Sequence, residues 1–101
     1  MANNGLRSWS FLTNHALVLI YIGRRSESTG LQIAQAVGIT ERAARALLND
    51  LEDAGYIERE RIGRRNRYSV DIHRPVTSIG DKNLTVGQIL EILDLEHTEG
   101  D

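Results

Sequence analysis

The segment Val37-Gly38-Ile39-Thr40 leaves little freedom in how the chain on either side of it is arranged. Ile33-Ala34 and Val37-Gly38-Ile39 set apolar or small residues four apart, and Gly38 stands where the chain must leave a helix. Glycine reaches left-handed backbone angles at little cost and commonly closes helices for that reason. Ala34, one turn earlier, is small enough for a following helix to cross closely over the first. Thr40 then restarts the chain as an N-cap, its hydroxyl placed to accept from an orphan backbone N–H. Thr29 and Gln32 form a capping box at the start of the upstream helix. The spacing predicts two short helices joined by a tight turn, the second running from Glu41 to about Ala54.

Along that second helix Ala44, Leu47, Leu48 and Leu51 recur at three and four residues and make one inward stripe. Glu41, Arg42, Arg45, Asn49 and Glu52 fall on the other side. Arginine and asparagine can hydrogen-bond guanine and adenine edges in a major groove. The candidate contact set is therefore Thr40, Glu41, Arg42, Ala43, Arg45 and Asn49, with Arg42, Arg45 and Asn49 as the readers. Taken alone, the same face is also what any solvated amphipathic helix presents.

The next sixteen residues shift the weight towards DNA. Gly55 ends the helix, and Tyr56 to Ile62 nearly alternates apolar and charged residues, as a half-buried strand should. Asn66 to Val70 answers as a second strand across Gly63-Arg64-Arg65, a glycine-containing hairpin tip. From Arg59 to Arg67 there are five arginines against the single acid Glu60. Such a ribbon can lie on phosphates or send an arginine into a narrow minor groove. Its candidate contacts are Arg61, Arg64, Arg65, Asn66 and Arg67. Helix, turn, helix and charged hairpin in this order describe a winged helix-turn-helix, a mainly α fold with a small β-hairpin wing.

The stretch Leu31 to Ala43, followed by Leu51-Glu52-Asp53-Ala54-Gly55-Tyr56-Ile57 and Gly63 to Tyr68, resembles prokaryotic winged-helix transcriptional regulators of the MarR-like kind, above all their small single-domain members. The resemblance runs from about Trp9 to Val70 and more weakly to Leu93. Its most specific part is the segment from Leu51 to Ile57 that turns the recognition helix into the wing. One departure is Ala44, where the family more often carries valine or isoleucine. The resemblance implies the fold and double-stranded DNA as partner, with no target sequence attached.

A chain of 101 residues is expected to make one domain with a modest core. The absence of cysteine excludes disulfides and thiolate zinc sites and suits a reducing compartment. The first residues do not resemble a signal peptide, and the apolar run Ala16 to Ile22 is too short to span a bilayer. A soluble, cytoplasmic protein without membrane association is the expectation. The net charge of −2 looks wrong for a nucleic-acid binder until the chain is divided. Residues 1 to 74 carry eleven basic and eight acidic side chains, residues 75 to 101 one and six. The acidity belongs to the tail, and charges more than about 8 Å from a contact are heavily screened at physiological salt.

The first helix, from near Thr13, presents Ala16 to Ile22 as apolar or aromatic residues on every side, so something must enclose it. The C-terminal segment is the candidate cover. Thr85 and Gln88 fit a capping box, and Val86, Ile89, Leu90 and Leu93 form a stripe. The resulting organisation is a DNA-binding domain over residues 1 to 74, an irregular linker over 75 to 83, and a C-terminal helix over 84 to 96. A two-fold homodimer through Leu17, Leu19, Ile20, Val86, Ile89, Leu90 and Leu93 would set paired recognition helices about one DNA turn, roughly 34 Å, apart. The alternative is a monomer whose tail closes its own core.

Other chemistry finds little support. His15, His73 and His97 have no metal-ligand spacing, no phosphate loop is present, and no nucleophile has an activating partner. No catalytic residue, metal or cofactor is assigned, and no residue demands a small-molecule effector, although a pocket between dimer helices and DNA-binding lobe could hold one. The rival readings are a winged-helix protein–protein interaction module, since fold does not fix function, and an RNA-binding protein. Arginines on both the recognition helix and the wing favour a DNA duplex, which those two elements approach together. The aromatics Trp9, Phe11, Tyr21, Tyr56 and Tyr68 mostly fall at core positions, which counts against a stacking platform for single strands.

Overall fold

Each of the four helices among the described residues starts immediately after a threonine. The Thr13, Thr29 and Thr40 hydroxyls accept from the backbone N–H groups of Ala16, Gln32 and Ala43 at 3.2, 3.1 and 3.0 Å. Gln32 closes its box by accepting from the Thr29 N–H at 2.9 Å. Thr85 and Gln88 repeat the arrangement, with the Thr85 N–H donating to Gln88 Oε1 at 2.8 Å. Each cap satisfies donors that a helix start otherwise leaves without partners, an effect of about 1 kcal/mol.

The computed structural model describes residues 10–99. Its elements run α1 (Asn14–Arg24), β1 (Glu27–Ser28), α2 (Gly30–Val37), α3 (Glu41–Asp53), β2 (Ile57–Ile62), β3 (Arg65–Val70), β4 (Pro75–Ile79), β5 (Lys82–Thr85) and α4 (Val86–Glu99). Gly38 closes α2 at φ 86°, and the N–H groups of Gly38 and Ile39 both donate to the Ala34 carbonyl, at 2.8 and 3.0 Å. The chain thereby reverses within two residues and delivers Thr40 to the start of α3. The predicted helix-turn-helix is present at the predicted residues.

Helices α1, α2 and α3 surround one apolar core. Val18, Leu19 and Ile22 come from α1, Ile33 and Ala34 from α2, and Ala44, Leu48 and Leu51 from α3. Ile57 and Tyr68 close it from the sheet. Ala44 is wholly buried, so the small side chain at this position lets the helices approach. Full burial of a leucine such as Leu48 contributes about 1.5–3 kcal/mol.

Strands β2 and β3 form the wing, antiparallel, with Arg59 opposite Tyr68, Arg61 opposite Asn66 and Ile62 opposite Arg65. The short β1 pairs on the far side of β3, giving the order β1-β3-β2. Because β3 begins at Arg65, the tip is the two-residue loop Gly63-Arg64. Gly63 supplies, at φ 62°, the positive angle such a loop needs at its first position.

Residues 75 to 83 are not an irregular linker. They belong to a second antiparallel hairpin, β4-β5, turned by Gly80-Asp81 with Gly80 at φ 63°. Pro75 sits at the first residue of its strand, where a missing N–H is tolerated, and a register shift separates it from Thr77. Most of its side chains are exposed, with Val76, Leu84 and Thr85 half-buried, so turn chemistry and backbone pairing define this hairpin without the apolar alternation that marks a strand in sequence.

The tail covers its own subunit. Val86 is buried in the common core, and Leu90 packs against α1 over Gly23. Leu19 and Val86, expected at a dimer surface, are thus interior residues of one chain. Leu17, Ile20, Ile89, Leu90 and Leu93 remain half-buried. The last helix starts at Val86 instead of residue 84, because Leu84 and Thr85 finish β5.

Candidate nucleic-acid interface

The outward side of α3 carries Arg42, Arg45 and Asn49 in steps of three and four, so all three lie on one face. Arg42 is exposed, with no hydrogen bond or ion pair to another described residue. Arg45 is exposed too, but its Nη2 lies 2.8 Å from Glu41 Oε2 one turn back. Thr40 is occupied as the cap, and Ala43 is half-buried beneath the face. Glu41 sits in the first turn, where the helix dipole favours a carboxylate.

Asn49 meets the wing. Its side-chain carbonyl accepts a short hydrogen bond from Arg59 of β2, whose Nε donates to Glu52 Oε1 at 3.0 Å. Arg59 is three-quarters buried between strand and helix. In a count of charges this arginine is only one among five. Alternation from the buried Ile57 was the available signal, since it places Arg59 and Arg61 on the same side of the strand.

That alternation divides the expected ribbon into two faces. Ile57, Arg59 and Arg61, with their partners Val70, Tyr68 and Asn66, lie on the side that meets α3. Glu58, Glu60 and Ile62, with Ser69, Arg67 and Arg65, lie on the other. Arg67 is committed there to Glu27 of β1, with Nη2 and Nε at 2.9 and 3.2 Å from Oε2. Asn66 donates weakly to Tyr68 Oη at 3.4 Å. Arg61 Nε donates to the Gly63 carbonyl at 2.6 Å, which holds its stem along the tip. Arg64 and Arg65 are exposed at the tip and unpaired among the described residues. The positive charge without an acidic partner among the described residues is therefore concentrated on Arg61, Arg64 and Arg65 of the wing and on Arg42 of α3, with Arg45 shared with Glu41.

Among the described residues no three His, Cys, Asp or Glu side chains could hold a metal ion, and no helix is long and apolar enough to cross a membrane.

Three helices round one core, a capped turn and a wing abutting the second helix of the pair make a winged helix-turn-helix fold. Residues 14–58, from α1 to the start of the wing, match the family model described as winged helix-turn-helix DNA-binding. Among solved structures the chain is similar to MepR, a transcription regulator of the Staphylococcus aureus multidrug efflux pump MepA. The TM-score is 0.55 at 23% sequence identity, over 97% of this chain and 69% of that one. No curated protein matches the sequence.

Proposed function

We propose that this chain is a sequence-specific regulator of transcription, of the MarR-like kind, that inserts α3 into the major groove of double-stranded DNA and sets the wing tip on the backbone or in the adjacent minor groove. The observation that carries the reading is the contact between Asn49 and Arg59. It places the Arg42–Arg45–Asn49 face of α3 directly beside the Arg61 face of the wing, so one duplex can meet both. Arg42 and Arg45 are the base readers in this reading, and Arg61, Arg64 and Arg65 bind phosphates. Selection of bound fragments from a randomised duplex pool, scored for a recurring motif, tests it. Enrichment of one motif supports it, and recovery of unselected sequence at low salt rejects sequence-specific regulation.

The reading includes a homodimer in the cytoplasm. After α4 has packed on α1, an open groove of about 710 Å³ remains, lined by Leu17, Ile20, Tyr21, Val37 and Leu93 together with Arg24 and Arg25. Ile92, the neighbour of Leu93 on α4, is 62% exposed. A second copy related by a two-fold axis covers the apolar residues of this groove and pairs the recognition helices. Light scattering returning twice the chain mass at micromolar concentration supports the dimer, and a monomer mass rejects it.

A further inference from the structure

Asparagine recognises adenine by using both ends of its amide, accepting from the N6 amino group while donating to N7. At Asn49 the accepting end is turned to the wing, with one of its two lone pairs taken. An arginine has no acceptor, so the atom of Asn49 that meets the Arg59 guanidinium is necessarily the carbonyl oxygen Oδ1. Arg59 is also held by Glu52 Oε1 at 3.0 Å, one turn further along α3, and its side chain is only 25% exposed. The amide oxygen is thereby turned towards the wing, and the NH2 is the end of the side chain left without a partner among the described residues.

Resting on the DNA-binding reading, we infer that Asn49 is a donor-only contact, excluded from paired recognition of adenine, and that Arg59 is the positioning residue that imposes this. The ligand atom is an acceptor: a phosphate oxygen, or a base acceptor such as guanine O6 or N7. The position of Asn49 favours the wall of the groove. It lies eight residues from the start of α3, about 12 Å along the axis, and touches the element assigned to the backbone. One restrained neutral donor is worth a factor of about 2–12 in affinity.

The test compares wild type with Asn49→Ala, Arg59→Met and Arg59→Lys on duplexes selected by the wild-type protein and on the same duplexes carrying purine, which lacks the N6 amino group, in place of each adenine. For N49A the expected result is a loss of about 2–12-fold. A loss equal on all duplexes identifies phosphate as the acceptor, and a loss confined to one guanine-containing pair identifies the base. No wild-type adenine position that depends on Asn49 should respond to removal of N6. Arg59→Met releases Oδ1 and should create a new preference for adenine at the base pair nearest Asn49, while Arg59→Lys, which keeps a donor, should not. A merely structural role for Arg59 would lower affinity without moving base preference. The inference is overturned if N49A binds as wild type, if N49A abolishes an adenine preference that also vanishes with purine, or if folded R59M shows the wild-type base preference. A wild-type protein that selects no sequence would instead overturn the regulator reading, and this inference with it.

Discussion

The Arg74 guanidinium occupies the space that a side chain at Gly55 would need. Arg74 donates from Nη2 to the Ala54 carbonyl at 2.7 Å and lies 5.7 Å over the Tyr56 ring. Tyr56 in turn donates to the Pro75 carbonyl at 3.0 Å. The end of α3 is therefore fastened to the start of the second hairpin, and through it to α4. The φ of 85° calls for glycine at the junction of α3 and wing, and the Arg74 guanidinium would have to move aside for any side chain there.

Replacing Gly55 by alanine should destabilise the fold by about 2–3 kcal/mol, of which about 1–2 comes from the left-handed backbone. For a domain of this size the melting temperature should fall by roughly 4–8 °C per kcal/mol. The collision with Arg74 can be isolated in a double-mutant cycle, because Gly55→Ala should cost measurably less in an Arg74→Ala background. Strict additivity would show that the two residues do not interact.

Arg64 and Arg65 are exposed and make no contact the fold uses, so the double alanine variant should melt within about 0.5 kcal/mol of wild type. Its DNA affinity should fall on every sequence, with the slope of log K against log salt reduced by about 0.9 for each phosphate contact removed. Titrations at several salt concentrations measure both. Wild-type affinity throughout would remove the wing tip from the interface.

The helix-turn-helix was legible because its signals are local. Thr29, Gln32, Gly38 and Thr40 each act within four residues, and the structure places them at the predicted caps. The wing was legible as a hairpin through Gly63, but counting its arginines concealed that they divide between two faces. Arg67 is spent on Glu27, forty residues away in sequence, and Arg59 on α3; neither pairing has a local signature. The second hairpin buries little, so only Gly80 marked it in the sequence. The assignment of Leu19 and Val86 to a dimer surface failed for a related reason. An apolar stripe shows that a face is covered, not whether its own chain or another covers it.

Arg42 and Arg45 should behave differently although both face outward. Arg42 has no partner among the described residues, and its replacement by alanine should cost about 1–3 kcal/mol on the preferred site with little effect elsewhere. Arg45 must loosen its contact with Glu41 before it can serve a base, so Arg45→Ala should cost less. Glu41→Gln should increase affinity for all duplexes, about 2–5-fold at low salt, by removing a negative charge from the interface and releasing Arg45. The same change should lower stability by about 0.3–1 kcal/mol, since it removes a carboxylate from the first turn of α3. Binding isotherms and thermal melts on one variant thus check opposite signs, and equal losses for R42A and R45A would show that the ion pair does not restrain Arg45.

Gly23 sets how closely α4 can approach α1. A Cβ at this position would stand 2.9 and 3.0 Å from the two methyl carbons of Leu90. Those methyls end a flexible side chain, so Gly23→Ala should be nearly neutral, the strain offset by up to about 1 kcal/mol of helix propensity. Valine adds branches that a rotation of Leu90 cannot accommodate, and Gly23→Val should cost about 1–3 kcal/mol by overpacking. The loss should be localised, because α2 and α3 meet the core through Ile33, Ala34, Ala44 and Leu48 and do not depend on Leu90. Hydrogen exchange should therefore accelerate in α4 while the helix-turn-helix keeps its protection. Wild-type protection of α4 in the valine variant would mean that Leu90 is not the contact that holds the tail in place.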